Sequence, residues 1–200
     1  MSLRERKKDK TRTQLLEAAL ELIGRQGFAD TTISQIAAAV DVSPRTLLRY
    51  FPTKEDVIVS WVDDTITIFI DTLTARPQDE AAQQSLMAAS RAMLEAYQQR
   101  SEFYLVIEKT IASSPSVSAR KQEMSAALAE RVEKHLQARA GSDFDSLRTE
   151  VLTAIVFSMI RVSIRRWLAT DGKADLLSVF DKVTRIVPLT DDDMVDTEDV

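Results

Sequence analysis

The sequence predicts an all-α protein of about nine helices: an N-terminal three-helix helix-turn-helix domain followed by a larger helical domain. Three observations carry this. Glycine and proline together make up only 9 of 200 residues, against about 24 at average usage, and sheet proteins spend these residues on turns. Apolar residues recur at helical spacing, and no segment alternates as a strand does. The few glycines and prolines fall almost entirely at the edges of helical patterns, with proline near starts and glycine past ends.

In chain order, the first helix spans roughly 9–26 and places Leu15, Ala19, Leu22 and Ile23 on one face. Gly27 follows it. Thr32 and Gln35 have the spacing of a capping box for a short helix over 33–40. Ser43 caps a second short helix, 44–50, with Pro44 at its first turn. Thr53, with Asp56 at the box position, opens a long helix to about 75. Pro77 and Pro115 stand before helices expected at 78–99 and 116–139, with another at 102–113 between them. The last two are expected at 143–170 and 174–187, with Gly141, Gly172 and Pro188 at helix ends.

Composition narrows the chemistry. Cysteine is absent and His135 is the only histidine. Disulfides, thiol catalysis, cysteine-ligated metals and multi-histidine sites are thereby excluded. No cofactor and no metal is expected, and no enzymatic activity. The first twelve residues are charged and lack an apolar core, so no secretory signal is expected. No stretch reaches the ~18 apolar residues of a membrane helix; a cytoplasmic protein is expected.

The net charge of −5 taken alone argues against nucleic acid. It is an average over unlike parts. Residues 1–54 hold ten Lys/Arg against six Asp/Glu; residues 55–190 hold sixteen against nineteen; residues 191–200 hold six acids and no base. The expected organisation follows: a basic domain over 1–52, a helical body over 53–188 and an acidic disordered tail over 189–200.

The segment from Thr32 to Phe51 is the most informative. Two helices of about two turns are joined by Asp41-Val42-Ser43, a connection short enough to force a steep crossing. Ile36, Ala37 and Val40 face Leu47 and Phe51. Pro44, Arg45, Thr46, Leu48, Arg49 and Tyr50 then remain outward. Arginine pairs bidentately with guanine, and hydroxyls reach phosphate. Lys54 opens the next helix, where a cation and free N–H groups suit a phosphate. The arm Arg4, Arg6, Lys7, Lys8, Lys10 and Arg12 is expected to track the DNA backbone or a minor groove. A helical corner, two surface arginines or a basic terminus alone would mean little; on one segment they favour DNA binding.

Residues 11–58, TRTQLLEAALELIGRQGFADTTISQIAAAVDVSPRTLLRYFPTKEDVI, strongly resemble the DNA-binding domain of the tetracycline-repressor (TetR) family. The likeness is carried by Arg12, Ala18-Ala19, Gly27-Phe28, Thr31-Thr32, Ile36-Ala37, Val42-Ser43, Thr46-Leu47, Tyr50-Phe51 and Lys54. It implies an all-α homodimer with a ligand-binding domain beyond Thr53. It further implies DNA contacts by Ser43, Arg45, Thr46, Arg49 and Tyr50, with Lys54 and Thr32 on phosphate. Leu48 stands where the family often has an aromatic, so that contact is lost or becomes apolar. Asp41 replaces a frequent glycine in the turn, where aspartate tolerates the left-handed conformation moderately well.

The helix over 143–170 is apolar on two sides: Leu147, Val151, Ala154, Ile155 and Ser158, then Leu152, Val156, Met159, Ile160 and Ser163. Such a helix is buried on more than one side. The last helix adds Leu176, Val179, Phe180, Val183 and Val187. The resemblance implies that these two helices pair across a two-fold axis, which suits a palindromic operator. An effector pocket is expected among the helices from 53 to 170. Its candidate residues are Trp61, Thr65, Ile68, Phe69, Met93, Tyr97, Phe103, Tyr104, Ile107, Met124, Leu128, Phe157 and Arg161. Trp61, Tyr97 and Tyr104 rank first because each needs a partner for its polar atom. Arg161 is either an exposed edge or dimer salt bridge, or the counter-ion of an anionic ligand. Glu108 is either an ion pair or the partner of a cationic ligand. His135 is expected to face solvent.

The sequence therefore points to a dimeric transcriptional repressor, released from a palindromic double-stranded operator by a small hydrophobic or amphipathic effector. An activator on the same fold is the alternative; a helical carrier or enzyme without DNA binding fits less well, since it leaves the basic segment unexplained.

Overall fold

The computed structural model describes residues 3–140 and 145–187, with side chains from Lys10 onward. Gly141, Pro188 and the acidic tail lie outside the described residues. The described residues form nine helices and no strand: α1 (Leu3–Asp30), α2 (Ile33–Ala39), α3 (Pro44–Tyr50), α4 (Lys54–Thr74), α5 (Ala82–Gln99), α6 (Ser101–Ser113), α7 (Pro115–Ala140), α8 (Ser146–Leu168) and α9 (Leu176–Ile186). No helix among them is long and apolar enough to cross a membrane.

Most boundaries follow from caps visible in the sequence. Thr32 and Gln35 form the expected box, each side chain receiving the other's backbone N–H. Ser43 accepts from Thr46 N at 3.0 Å, with Pro44 in the first turn of α3. Thr53 and Asp56 repeat the box at α4.

Two elements differ from expectation. The first helix starts earlier than residue 9: the backbone of the basic arm is helical from Leu3, so the arm continues α1. The break expected after residue 26 is present at Gly27, whose φ of 83° and ψ of 164° are open only to glycine; a further turn runs on to Asp30. The fourth connection is longer than expected, because α5 starts at Ala82 rather than 78. Carbonyls there are satisfied from outside the helix: Arg139 Nη2 donates to Pro77 O at 2.9 Å and to Glu80 O at 2.5 Å. Glu80 pairs with Arg76 and accepts from Ser85 Oγ at 2.7 Å.

The chain divides into two compact units that interleave in sequence. One comprises residues 1–66 and 100–128, the other 67–99 and 129–200. In the first, α1 packs on α2 and α6, and α2 on α3. Its core includes Leu15, Ala19, Ile36, Ala37, Leu47, Phe51 and Val57. In the second, α5, α8 and α9 pack on one another around Trp167, Phe180, Tyr97 and Leu94. Arg91 of α5 and Asp181 of α9 form an ion pair at 2.6 Å, and Gln98 Oε1 accepts from the first N–H of α9.

His135 differs from the solvent-facing position expected of it. It is half-buried on α7, and its Nε2 has no hydrogen-bond partner among the described residues. Desolvation first, then nearby Arg139, holds its pKa below the usual value.

Candidate nucleic-acid interface

The turn between α2 and α3 sets the presentation of α3. The α2 helix ends in a Schellman motif: Val42 N donates to Ala37 O at 3.0 Å and Asp41 N to Ala38 O at 3.1 Å. Asp41 takes φ 54°, the left-handed conformation expected of it. Ile36 and Ala37 are fully buried against the α3 side, where Leu47 is likewise fully buried. One face of α3 is thus consumed by packing, which fixes the other face outward.

That outward face carries Pro44, Arg45, Leu48 and Arg49, all exposed, with Thr46 and Tyr50 half-buried. Leu48 is 45% exposed. Arg45 makes no hydrogen bond or ion pair among the described residues. Arg49 lies 5.8 Å from the centre of the Tyr50 ring, which orients its guanidinium along the helix surface. Ser43 Oγ and Thr46 Oγ1 are 2.9 Å apart and share a hydrogen bond at the helix start. Thr32 is exposed, and its hydroxyl is engaged with Gln35.

Two of the cations expected to meet DNA, Lys54 and Arg12, have partners within the protein. Lys54 Nζ donates to Phe28 O at 2.7 Å and Thr31 O at 2.8 Å, with Ala29 O at 3.4 Å, and lies 4.2 Å from the Phe28 ring centre. The ammonium has three donors, directed at carbonyls at and just beyond the end of α1, where the helix dipole is negative. Arg12 donates to Ser60 O at 2.8 Å and sits 3.5 Å from Asp64 and 3.9 Å from Asp63. It also lies over the Phe51 ring at 5.9 Å. Partial burial is the main influence raising the Asp63 pKa, and Arg12 opposes it. These two residues tie α1 to α4 from both ends of the reading segment.

The candidate effector residues fall into both units. In the first are Trp61, Thr65, Tyr104, Ile107 and Leu128, all buried, with half-buried Phe103 and Met124. Trp61 and Phe103 meet edge to face at 4.2 Å, and Phe103 meets Tyr104 at 5.4 Å. Trp61 Nε1 is buried without a hydrogen-bond partner among the described residues, whereas Thr65 Oγ1 bonds to Val62 O at 2.8 Å. Burial holds the Tyr104 phenol above its usual pKa. Glu108 is buried and accepts from Lys121 Nζ at 2.6 Å, so its charge is met by an ion pair.

In the second unit are Phe69, Met93 and Tyr97, buried, with half-buried Ile68 and Phe157. Phe69 and Phe157 meet edge to face at 5.8 Å. Arg161 is exposed on α8, which matches the edge reading of that residue.

Two arginines that sequence reasoning passed over are placed at this site. Arg100, at the start of α6, stacks its guanidinium 4.7 Å from the Trp61 ring centre and 4.3 Å from that of Phe103. Its only sequence signal is an arginine one turn before an aromatic pair. Arg120 of α7 donates to Asp56 Oδ1 at 2.7 Å, while Asp56 Oδ2 caps Thr53. No sequence signal links positions 64 residues apart.

Comparison with known proteins bears on this arrangement. Residues 15–60 match the model for bacterial regulatory proteins of the tetR family, and residues 80–188 match that for the MftR C-terminal domain. The HTH-type transcriptional regulator TcmR of Streptomyces glaucescens is 33% identical over 185 residues, covering 88% of this chain and 82% of the relative. Among solved structures, the fatty acid degradation regulator FadR of Bacillus halodurans aligns with a TM-score of 0.61 at 19% identity, covering 88% of this chain and 93% of the other. FadR of Bacillus subtilis, in complex with stearoyl-CoA, aligns with a TM-score of 0.59 at 20% identity over 87% and 96%.

Proposed function

The chain belongs to the TetR family of bacterial regulatory proteins, and from that premise we propose that it is a cytoplasmic, homodimeric repressor whose α3 helices read a palindromic operator until a small effector releases it. The observation that carries this reading is the α3 surface. Burial of Leu47 leaves Arg45 unpaired and exposed, beside Arg49, on a helix held by caps at its start. A helix of that length reads few bases, so two copies on successive major grooves supply the specificity. Arg45 and Arg49 take base edges or phosphates, and Ser43, Thr46 and Tyr50 supply hydroxyls. Leu48 supplies an apolar contact suited to a thymine methyl. Thr32 reaches phosphate from the start of α2. Lys54 acts indirectly, by holding α1 to α4.

The effector reading rests on the buried aromatic residues of α4 and α6 and on the orphan indole N–H of Trp61, which suit a hydrophobic or amphipathic molecule with an acceptor atom. The stearoyl-CoA complex of Bacillus subtilis FadR is consistent with an effector of that character. Release requires only that the effector prefer a conformation in which α3 is misplaced. Asp56 supports such a link: one carboxylate oxygen caps α4 just after α3, and the other is held by Arg120 of α7.

Mobility-shift titration against duplexes from the region upstream of the chain's own gene tests the proposal. A retained complex at moderate salt that survives excess random duplex supports it. Retention that random duplex abolishes, or none, overturns it.

A further inference from the structure

We infer that the dimer is registered by a reciprocal ion pair in which Glu150 of each α8 meets Arg161 of the other copy. This rests on the homodimer reading and adds the residues that fix its geometry. The outer stripe of α8 runs through Leu147, Val151, Ala154, Ser158, Arg161 and Arg165. Leu147 is 70% exposed and Val151 40%; Ala154 and Arg161 are exposed and Ser158 half-buried. At the end of α9, Ile186 is 77% exposed and Val187 41%. So much bare aliphatic surface on adjoining helices of one unit calls for a cover.

Charge identifies that cover as a second copy. Glu150 and Arg161 are both exposed and have no partner among the described residues. They are eleven residues apart, about three turns, so they lie on the same side of the helix roughly 16 Å from each other. That is too far to pair within one chain. A two-fold axis across the helix midway between them carries each onto the other's position on the facing antiparallel helix. The midpoint falls between Ile155 and Val156, and the outward residues flanking it are Ala154 and Ser158. These are the smallest on the stripe, so two helices can cross closely there. The same operation lays the aliphatic stem of Arg161 over Val151 of the second copy. One symmetry element thus accounts for the small centre, the flanking apolar residues and two otherwise unpaired charges.

Sedimentation of the full-length chain over a concentration series tests this, with circular dichroism confirming folding of each variant. Glu150→Arg and Arg161→Glu each place like charges together twice per dimer and should raise the dimer dissociation constant roughly tenfold or more. The double variant, Glu150→Arg with Arg161→Glu, restores opposite charges and should return the constant to within about threefold of wild type. Single variants without effect, or a double variant as weak as the sum of the singles, overturn the ion pair. Leu147→Asp separates this from the underlying reading: if it too leaves the dimer intact, the α8 face is not the interface at all.

Discussion

Replacing Lys54 by methionine separates the phosphate contact expected from the sequence from the intramolecular contacts that the structure gives this cation. A phosphate ligand must present its ammonium to the DNA. In the structure the Lys54 ammonium makes close hydrogen bonds to Phe28 O and Thr31 O, with a longer contact to Ala29 O. Methionine keeps most of the stem and removes the donors. Hydrogen bonds to charged groups are worth about 1.5–3 kcal/mol each when no water replaces them. Lys54 is half-buried and Ala29 exposed, so water reaches part of the site. A net loss of about 2 kcal/mol is therefore expected, discounted from two full bonds for that access. For a chain of this size the melting temperature should fall by about 4–8 °C, measured at fixed protein concentration.

Binding to a random duplex supplies the contrast. Each phosphate contact contributes about −0.9 to the slope of log affinity against log salt. Two Lys54 contacts per dimer would remove roughly 1.8 from that slope on mutation. The structure predicts an unchanged slope with lower stability. A variant with the wild-type melting temperature and a slope flattened by nearly two would refute the assignment and return Lys54 to the phosphate.

Other outcomes follow from the same geometry. Gly27→Ala should cost about 1–3 kcal/mol in chemical denaturation, because φ 83° with ψ 164° is closed to alanine although no atom lies within 4 Å of the added Cβ. Arg45→Ala should cost about 1–3 kcal/mol on the operator and relax preference at one base position per half-site, with little loss on random duplex. The Glu80 carboxyl is held down to about 2, first by its hydrogen bond from Arg76 and then by Ser85. Its contribution is therefore full above the unfolded value near 4.5 and lost as pH falls toward 2. Glu80→Gln should flatten the acid side of the stability profile in that window. Arg120→Met frees Asp56 from α7; with operator complexes isolated, it should weaken release by whatever effector acts on the wild type while leaving the α4 cap in place.

Local features were legible because their causes are local. Two capping boxes, the Ser43 cap, the left-handed turn at Asp41 and the buried faces of α2 and α3 each depend on residues within a few positions of one another. They appear in the structure where the sequence puts them. The start of α5 was not legible for the converse reason. The carbonyls of Pro77 and Glu80 are claimed by Arg139, about sixty positions away, and Pro77 read locally signals an earlier start. Arg120 and Asp56 escaped for the same reason. His135 was misplaced because Glu133 and Lys134 beside it on the helix say nothing of the opposite face.

Charge shows most clearly why a count of cations differs from a binding surface. Residues 1–54 carry ten lysines and arginines, yet the described side chains divide them sharply. Arg12 and Lys54 are committed to α4 and α1, and Arg25 pairs with Glu21 one turn away. Lys10, Arg45 and Arg49 remain exposed. The committed pair are part of the family likeness, but their partners are backbone carbonyls and the acids of α4. On the proposed function such residues position α3 through contacts within the protein, and their loss should act alike on every duplex through stability. In the proposed function the exposed arginines of α3 act through contact, so their loss should distinguish one duplex from another. The proposed function thus divides the basic segment into two layers, an inner one that holds α3 and an outer one that reads. Only the outer layer is expected to carry sequence preference.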